Sequence, residues 1–251
     1  MPRSNPWYLT YLPRPDARLR LYCFACAGSG PSFFRGWPEL LPPWIEVRAV
    51  RLPGRPGRHR EAAFTDADQA VKGLLDGLAE ELTGDYAFFG HSMGALLAYR
   101  MTRELLASKA TLPRLLAGAS WPPQGAPTSS MPDPADDDAD FAASCRRLGG
   151  VPDEMFDDPA ILGLTLPLLR ADFALCHSYT YDPAPPLPLP VVALNGSEDS
   201  VIPPHLMTTW QEQSEDFRGL RLYPGGHFFV HDHAQEVTAL LTELLAPAVE
   251  G

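Results

Sequence analysis

Apolar positions in this chain fall into short dense runs separated by longer stretches with helical spacing. The clearest helix is predicted over residues 66–82. Ala67, Ala70, Val71, Leu74, Leu75, Leu78 and Leu82 recur on one face, Asp66 can cap the start, and Gly84 follows the end. Strand-like runs lie at 19–26, 45–50, 86–89, 115–119, 189–194 and 220–223. Further helices are expected at 31–41, from Met93 to about residue 108, and over 230–245. Strands alternating with helices, with no internal repeat, predict an α/β protein: a mostly parallel central sheet flanked by helices on both faces.

Residues 121–188 break this rhythm. Trp121-Pro122-Pro123 opens a loop, and Asp133, Asp136, Asp137, Asp138 and Asp140 crowd together. Helical stretches at about 138–148 and 159–180 follow, then a proline-rich exit from Asp182 to Pro186. The expectation is one domain over 1–251 with a helical lid inserted at about 121–188, because long excursions in compact domains are often functional. The plainer reading is a solvated peripheral layer of helices.

Composition narrows the class. With 45% hydrophobic and 20% charged residues in 251, the chain can bury a real core and is not disordered throughout. Four cysteines exclude a disulfide scaffold. No run is expected to reach the ~18 apolar residues of a membrane span. The polar, proline-rich first 16 residues do not read as a signal peptide. The expected setting is cytoplasmic, away from membranes. A net charge of −11 argues against nucleic acid as the main partner. The charge is uneven: residues 1–60 hold ten arginines against three carboxylates, whereas the rest carries −18.

The sharpest chemical signal is Gly90-His91-Ser92-Met93-Gly94, a G-x-S-x-G pattern between a strand and a helix. A turn this tight leaves no room for side chains beside the serine and lifts Ser92 Oγ above the sheet. The Met93 N–H, at the helix start, can stabilise an oxyanion. A capping serine in a glycine-lined turn is the plain alternative. A serine hydroxyl needs a base, and in this motif's chain order an acid and then a histidine follow the nucleophile. Among seven histidines, His227 stands after Gly225-Gly226, between a strand and the last helix, where the base belongs. His91, inside the turn, should point away. Asp199, in the Asn195-to-Asp199 loop after a strand, is favoured as the acid that orients His227. Its neighbour Glu198 is not excluded by spacing, and either could cap the next helix. The early loop Cys26-Ala27-Gly28-Ser29-Gly30 offers the Ala27 N–H as a second oxyanion donor. The weaker alternative, a phosphate cradle, lacks the third glycine of a dinucleotide fingerprint and a Walker lysine.

Three patterns read as structural. Cys23-x-x-Cys26 falls on a strand and has no second ligand pair. The His227, His231, Asp232 and His233 cluster reads as polar residues at a helix start, so no metal is expected. Asn195-Gly196-Ser197 matches a glycosylation sequon that a cytoplasmic protein would not use.

These residues resemble the α/β-hydrolase fold. More closely they resemble the stand-alone type II thioesterases of polyketide synthases and nonribosomal peptide synthetases. The likeness covers nearly the whole chain. Its pieces are Phe24 to Gly30, Leu52-Pro53-Gly54-Arg55, Phe89 to Ala95, Gly196 to Asp199, and Gly225-Gly226-His227-Phe228-Phe229. The Pro-Gly-Arg element is the most specific to that family. The resemblance implies hydrolysis of acyl thioesters from the phosphopantetheine arm of an acyl or peptidyl carrier protein, without a cofactor, to clear stalled or aberrant acyl groups. It implies Ser92, Asp199 and His227 as the triad, with Ala27 and Met93 as oxyanion donors. The chain departs from the family at Ser29, where a glycine is usual, and near Arg100, where an acidic residue is. The same triad would also serve a carboxylesterase or an acyltransferase.

The basic quarter then gains a meaning. Arg55, Arg58 and Arg60 lie on the Pro-Gly-Arg loop, which follows a strand and should sit at the catalytic edge of the sheet. They are candidate contacts for the carrier or the phosphate of its arm. Internal pairing with the acidic remainder is the alternative.

Overall fold

The computed structural model describes residues 5–150 and 154–246. Residues 1–4, 151–153 and 247–251, which the expected domain and lid bounds include, lie outside the described residues. The strands are β1 (Tyr8–Leu9), β2 (Leu19–Phe24), β3 (Ile45–Val50), β4 (Tyr86–His91), β5 (Leu116–Ala119), β6 (Leu187–Gly196) and β7 (Ser214–Tyr223). They form one sheet in the order β1-β3-β2-β4-β5-β6-β7. All neighbours are parallel except β1, which runs antiparallel along β3 with Tyr8 opposite Val50. The helices are α1 (Trp37–Leu40), α2 (Ala67–Leu78), α3 (Met93–Ala107), α4 (Asp138–Leu148), α5 (Glu154–Asp157), α6 (Pro159–Ser178), α7 (Pro204–Met207), α8 (Phe229–Asp232) and α9 (Ala234–Leu245).

The central strands read as unbroken apolar runs because both of their faces are covered. Alternate residues of β2 part company. Tyr22 and Phe24 enter a core with Leu74 and Leu78 of α2 and Leu97 and Met101 of α3. Leu21 and Cys23 enter a second core with Trp37 of α1 and Val237 and Leu241 of α9. A smaller cluster joins Phe141 and Cys145 of α4 to Leu166, Leu169 and Phe173 of α6. α4, α5 and α6 occupy the stretch between β5 and β6 that broke the sequence rhythm.

Several boundaries moved for local reasons. Asp66 caps α2 by accepting the Gln69 N–H at 2.9 Å. The helix stops at Leu78, whose carbonyl takes the N–H groups of both Glu81 and Leu82 in a tightened last turn. The helix expected at 31–41 divides into a 3-10 turn (Pro31–Phe34) and α1, with Gly36 and Pro38 at the break. The helix expected at 230–245 divides at His233. β7 begins six residues earlier than its apolar run suggested, because Gly219 and half-exposed neighbours hide its alternation. β6 starts at Leu187 despite Pro188 and Pro190, and its register against β7 shifts there.

One expectation is corrected. α6 is 20 residues long, with an 18-residue window of mean hydropathy 1.4, so by length and composition it could cross a membrane. Part of its apolar surface serves two packing surfaces: Leu166, Leu169 and Phe173 face α4, and Leu175 and Cys176 join the core beside α3, whereas Ile161 and Leu164 are exposed.

Candidate active site

The turn from β4 into α3 explains its glycines. A Cβ on Gly90 would collide with the Gly94 carbonyl, and one on Gly94 with the Phe24 carbonyl at the end of β2. The helix therefore starts directly against the neighbouring strand. Ser92 is held at φ 53°, ψ −120°, with its N–H on the Ala119 carbonyl at 2.8 Å. This left-handed conformation turns its hydroxyl out of the sheet, where His227 Nε2 stands 3.0 Å away. His227 Nδ1 lies 2.9 Å from Asp199 Oδ2. The carboxylate can only accept there, so Nδ1 carries the proton and Nε2 is free to accept from the Ser92 hydroxyl.

The two loops that carry His227 and Asp199 are knitted together. Ser197 N–H donates to the Tyr223 carbonyl at 2.7 Å, and Glu198 N–H to that of Gly225 at 2.9 Å. Asp199 Oδ1 accepts the N–H groups of Val201 and Ile202, each at 2.9 Å. Its side chain thus forms the turn before α7 as well as facing His227. Burial acts to raise the Asp199 pKa, but hydrogen bonds from His227, Ile202 and Ser120 outweigh it and hold the carboxyl below its ordinary range. Glu198, the other candidate acid, is exposed.

His91 does turn away from the cavity, and it has a partner there. Its Nε2–H donates to the His227 backbone carbonyl at 2.8 Å. Its Nδ1 has no partner. Burial, then repulsion from His227, brings its pKa down to about 3, so the ring stays neutral. Phe33 stacks on it with ring centroids 5.4 Å apart.

Among the described residues, no backbone or side-chain acceptor takes up the N–H of Ala27 or Met93. Ser92, Ala27 and His227 line a narrow, largely enclosed cavity. Its other walls are mostly apolar, with Trp121, Leu169, Phe173 and Phe228 among them. Three cysteines, Cys26, Cys145 and Cys176, also line it. Burial raises the Cys26 thiol to about 11 and the Cys145 thiol to about 12, so neither offers a thiolate to compete with Ser92.

The arginine cluster needs a correction. Arg55 is only 2% exposed, and its guanidinium pairs with Asp172 at 2.5 Å and bonds the Ser29 carbonyl. Arg58 is 6% exposed, pairs with Glu61, bonds the Arg51 carbonyl and lies 3.9 Å over the Trp7 ring. Neither presents its charge to a docking partner. Arg60 is exposed. Two more arginines of the basic quarter are spent likewise. Arg14 caps the carbonyls of Pro38, Leu41, Pro42 and Ile45, and Arg48 pairs with Glu46 and Glu81.

The other patterns resolve quietly. His231 packs on Phe33, and His233 faces the Pro224 carbonyl and Glu236, so the histidine run does not converge. Among the described residues no group of three or more His, Cys, Asp or Glu could hold a metal ion. Asn195 is fully buried, with its amide donating to the Ile202 and Gly196 carbonyls. Asp172, Ser120 and the role of His91 had no sequence signal. Each acts across a large sequence separation and is an ordinary residue in its own segment.

A mostly parallel sheet, a strained serine between strand and helix, and an aspartate and a histidine from the ends of the last two strands define an α/β-hydrolase. Within that class the chain matches the thioesterase domain over residues 19–245, and it belongs to the thioesterase family. It is 31% identical to the gramicidin S biosynthesis protein GrsT of Aneurinibacillus migulanus, over 98% of this chain and 97% of that one. It is 32% identical to the thioesterase PikA5 of Streptomyces venezuelae, over 93% and 83%. The structure of the type II thioesterase BorB from the borrelidin biosynthetic cluster superposes with a TM-score of 0.86 at 29% identity, covering 98% of this chain and all of that one. Family membership indicates thioester hydrolysis.

Proposed function

We propose that this protein is a serine thioesterase of polyketide or nonribosomal peptide biosynthesis. It hydrolyses acyl groups from the phosphopantetheine arm of acyl or peptidyl carrier proteins and so releases stalled or aberrant chains. It works in the cytoplasm, without nucleic acid or membrane as partner. The observation that carries the reading is the Ser92–His227–Asp199 chain, with spacings of 3.0 and 2.9 Å, opening onto an apolar cavity beside two unspent N–H groups. The biosynthetic setting is supported by the relatives' names and by near full-length similarity to them.

In this reading His227 takes the Ser92 proton as Ser92 Oγ attacks the thioester carbonyl. The Ala27 and Met93 N–H groups hold the oxyanion. His227 then passes the proton to the departing thiol, and the acyl group remains on Ser92. Water, giving its proton to His227, attacks that ester; His227 returns the proton to Ser92 Oγ as the Oγ–acyl bond breaks, and the acid is released. Asp199 holds the tautomer and balances the imidazolium in both halves. The acyl chain lies in the apolar cavity, and the insertion at about 121–188, which supplies Leu169 and Phe173 to its wall, is the lid.

The test compares one acyl group on a carrier protein, on coenzyme A and in a simple oxygen ester. Faster release from the carrier is expected. Equal rates on all three would favour a carboxylesterase, and product trapped on an added alcohol or amine would favour an acyltransferase.

A further inference from the structure

The early loop that supplies the Ala27 N–H is held at three points. Ser29 N–H closes a turn on the Cys26 carbonyl at 3.1 Å. Arg55 Nε–H donates to the Ser29 carbonyl at 3.1 Å. Asp172 Oδ2 accepts the Gly28 N–H at 2.7 Å and the Arg55 Nη2–H at 2.5 Å. Asp172 belongs to α6, more than 140 residues further along the chain, and is 1% exposed. The stem of Arg55 lies against the same loop, where a Cβ on Gly30 would come within 3.2 Å of Arg55 Cγ.

A buried ion pair is a poor source of stability, because the cost of desolvating both charges nearly cancels their attraction. This pair grips the Ala27–Gly28 peptide unit, through the Gly28 N–H, and the Ser29–Gly30 unit, through the Ser29 carbonyl. We propose that Arg55 and Asp172 are positioning residues: they fix the Ala27 N–H for the oxyanion and tie that alignment to the seating of α6. This rests on the serine thioesterase reading above.

Three proteins decide it: wild type, the double variant Arg55→Met/Asp172→Leu, and Asp172→Asn. Each is measured for Tm, for kcat and KM on an acyl-pantetheine thioester, and for inhibition by an alkylboronic acid, which forms a tetrahedral adduct on Ser92. The rates are normalised to folded protein. The double variant replaces the pair by apolar residues of similar bulk and should stay folded, with Tm lowered by only a few degrees because the Gly28 N–H and the Ser29 carbonyl lose their partners. Its kcat should fall by about 10–100-fold, short of the full loss of an oxyanion donor. Boronate affinity should fall by a similar factor, with KM nearly unchanged. Asp172→Asn keeps an acceptor for Gly28 but loses the charge, and its kcat should fall by a smaller factor. A folded double variant with wild-type kcat and boronate affinity would overturn the proposal. Should the double variant not fold, a wild-type kcat in Asp172→Asn would overturn it. Wild type that neither cleaves the thioester nor takes up the boronate would instead sink the thioesterase reading, and this inference with it.

Discussion

The strain at Ser92 can be measured apart from its chemistry. At φ 53° and ψ −120° a side chain is held where L residues rarely sit, at a cost of about 1–3 kcal/mol. Glycine at that position escapes the cost but gives up about 0.5–1 kcal/mol more backbone entropy on folding. Ser92→Ala and Ser92→Gly both delete the hydroxyl and its bond to His227, so their difference isolates the Cβ. Ser92 is half-buried, and a lost methyl removes little packing. Taking the middle of each range, Ser92→Gly should be more stable than Ser92→Ala by about 1 kcal/mol. In a chain of 251 residues that is about 2–4 °C in Tm. Reversible urea unfolding with calorimetry is the assay. Both variants should be inactive. If Ser92→Gly melts at or below Ser92→Ala, the Cβ is not strained, and the explanation of the turn by local geometry fails.

Ser92→Ala should lower turnover by more than ~10³-fold, and Asp199→Asn by about 10⁴-fold through the wrong His227 tautomer, with folding intact by circular dichroism. His91 protonates in the folded protein only near pH 3, against about 6.5 when unfolded. Between those values the unfolded chain binds more protons, so stability should fall with acid by up to about 1.4 kcal/mol per pH unit. His91→Gln, which keeps a donor for the His227 carbonyl, should flatten that slope in urea titrations. Arg58→Ala should destabilise by about 2–3 kcal/mol, because it removes a buried cation from Trp7 and from the Arg51 carbonyl. Arg60→Glu, at an exposed site, should change stability by less than about 0.5 kcal/mol. A change in its ratio of carrier-bound to free thioester turnover would mark a contact at that residue.

Much of this was legible in sequence because it is local. The helix after Asp66 and strands β2 to β5 follow from periodicity and turn residues. Ser92, Asp199 and His227 follow from one motif and the order of loops. β1 escaped because two residues carry no period, and β7 showed only its last four residues. The inward turn of Arg55, one of the two readings open for that loop, escaped for a different reason. A loop arginine after a strand looks the same whether it faces solvent or is folded inward, and its partner Asp172 lies 117 residues away. Pairing across that separation is settled by the packing of α6, which no local pattern encodes.

The inward turn of those arginines changes how a partner would arrive. Arg48, Arg55 and Arg58 are neutralised at close range by Glu46, Glu81, Asp172 and Glu61, and paired charges cancel at a distance. A macromolecule approaching from beyond the Debye length of about 8 Å meets a body of net charge −11. An acidic carrier would thus be repelled in the encounter. Raising ionic strength should then increase its association rate, the reverse of what a basic rim would give. Capture would depend on short-range contact with the arm and its acyl group.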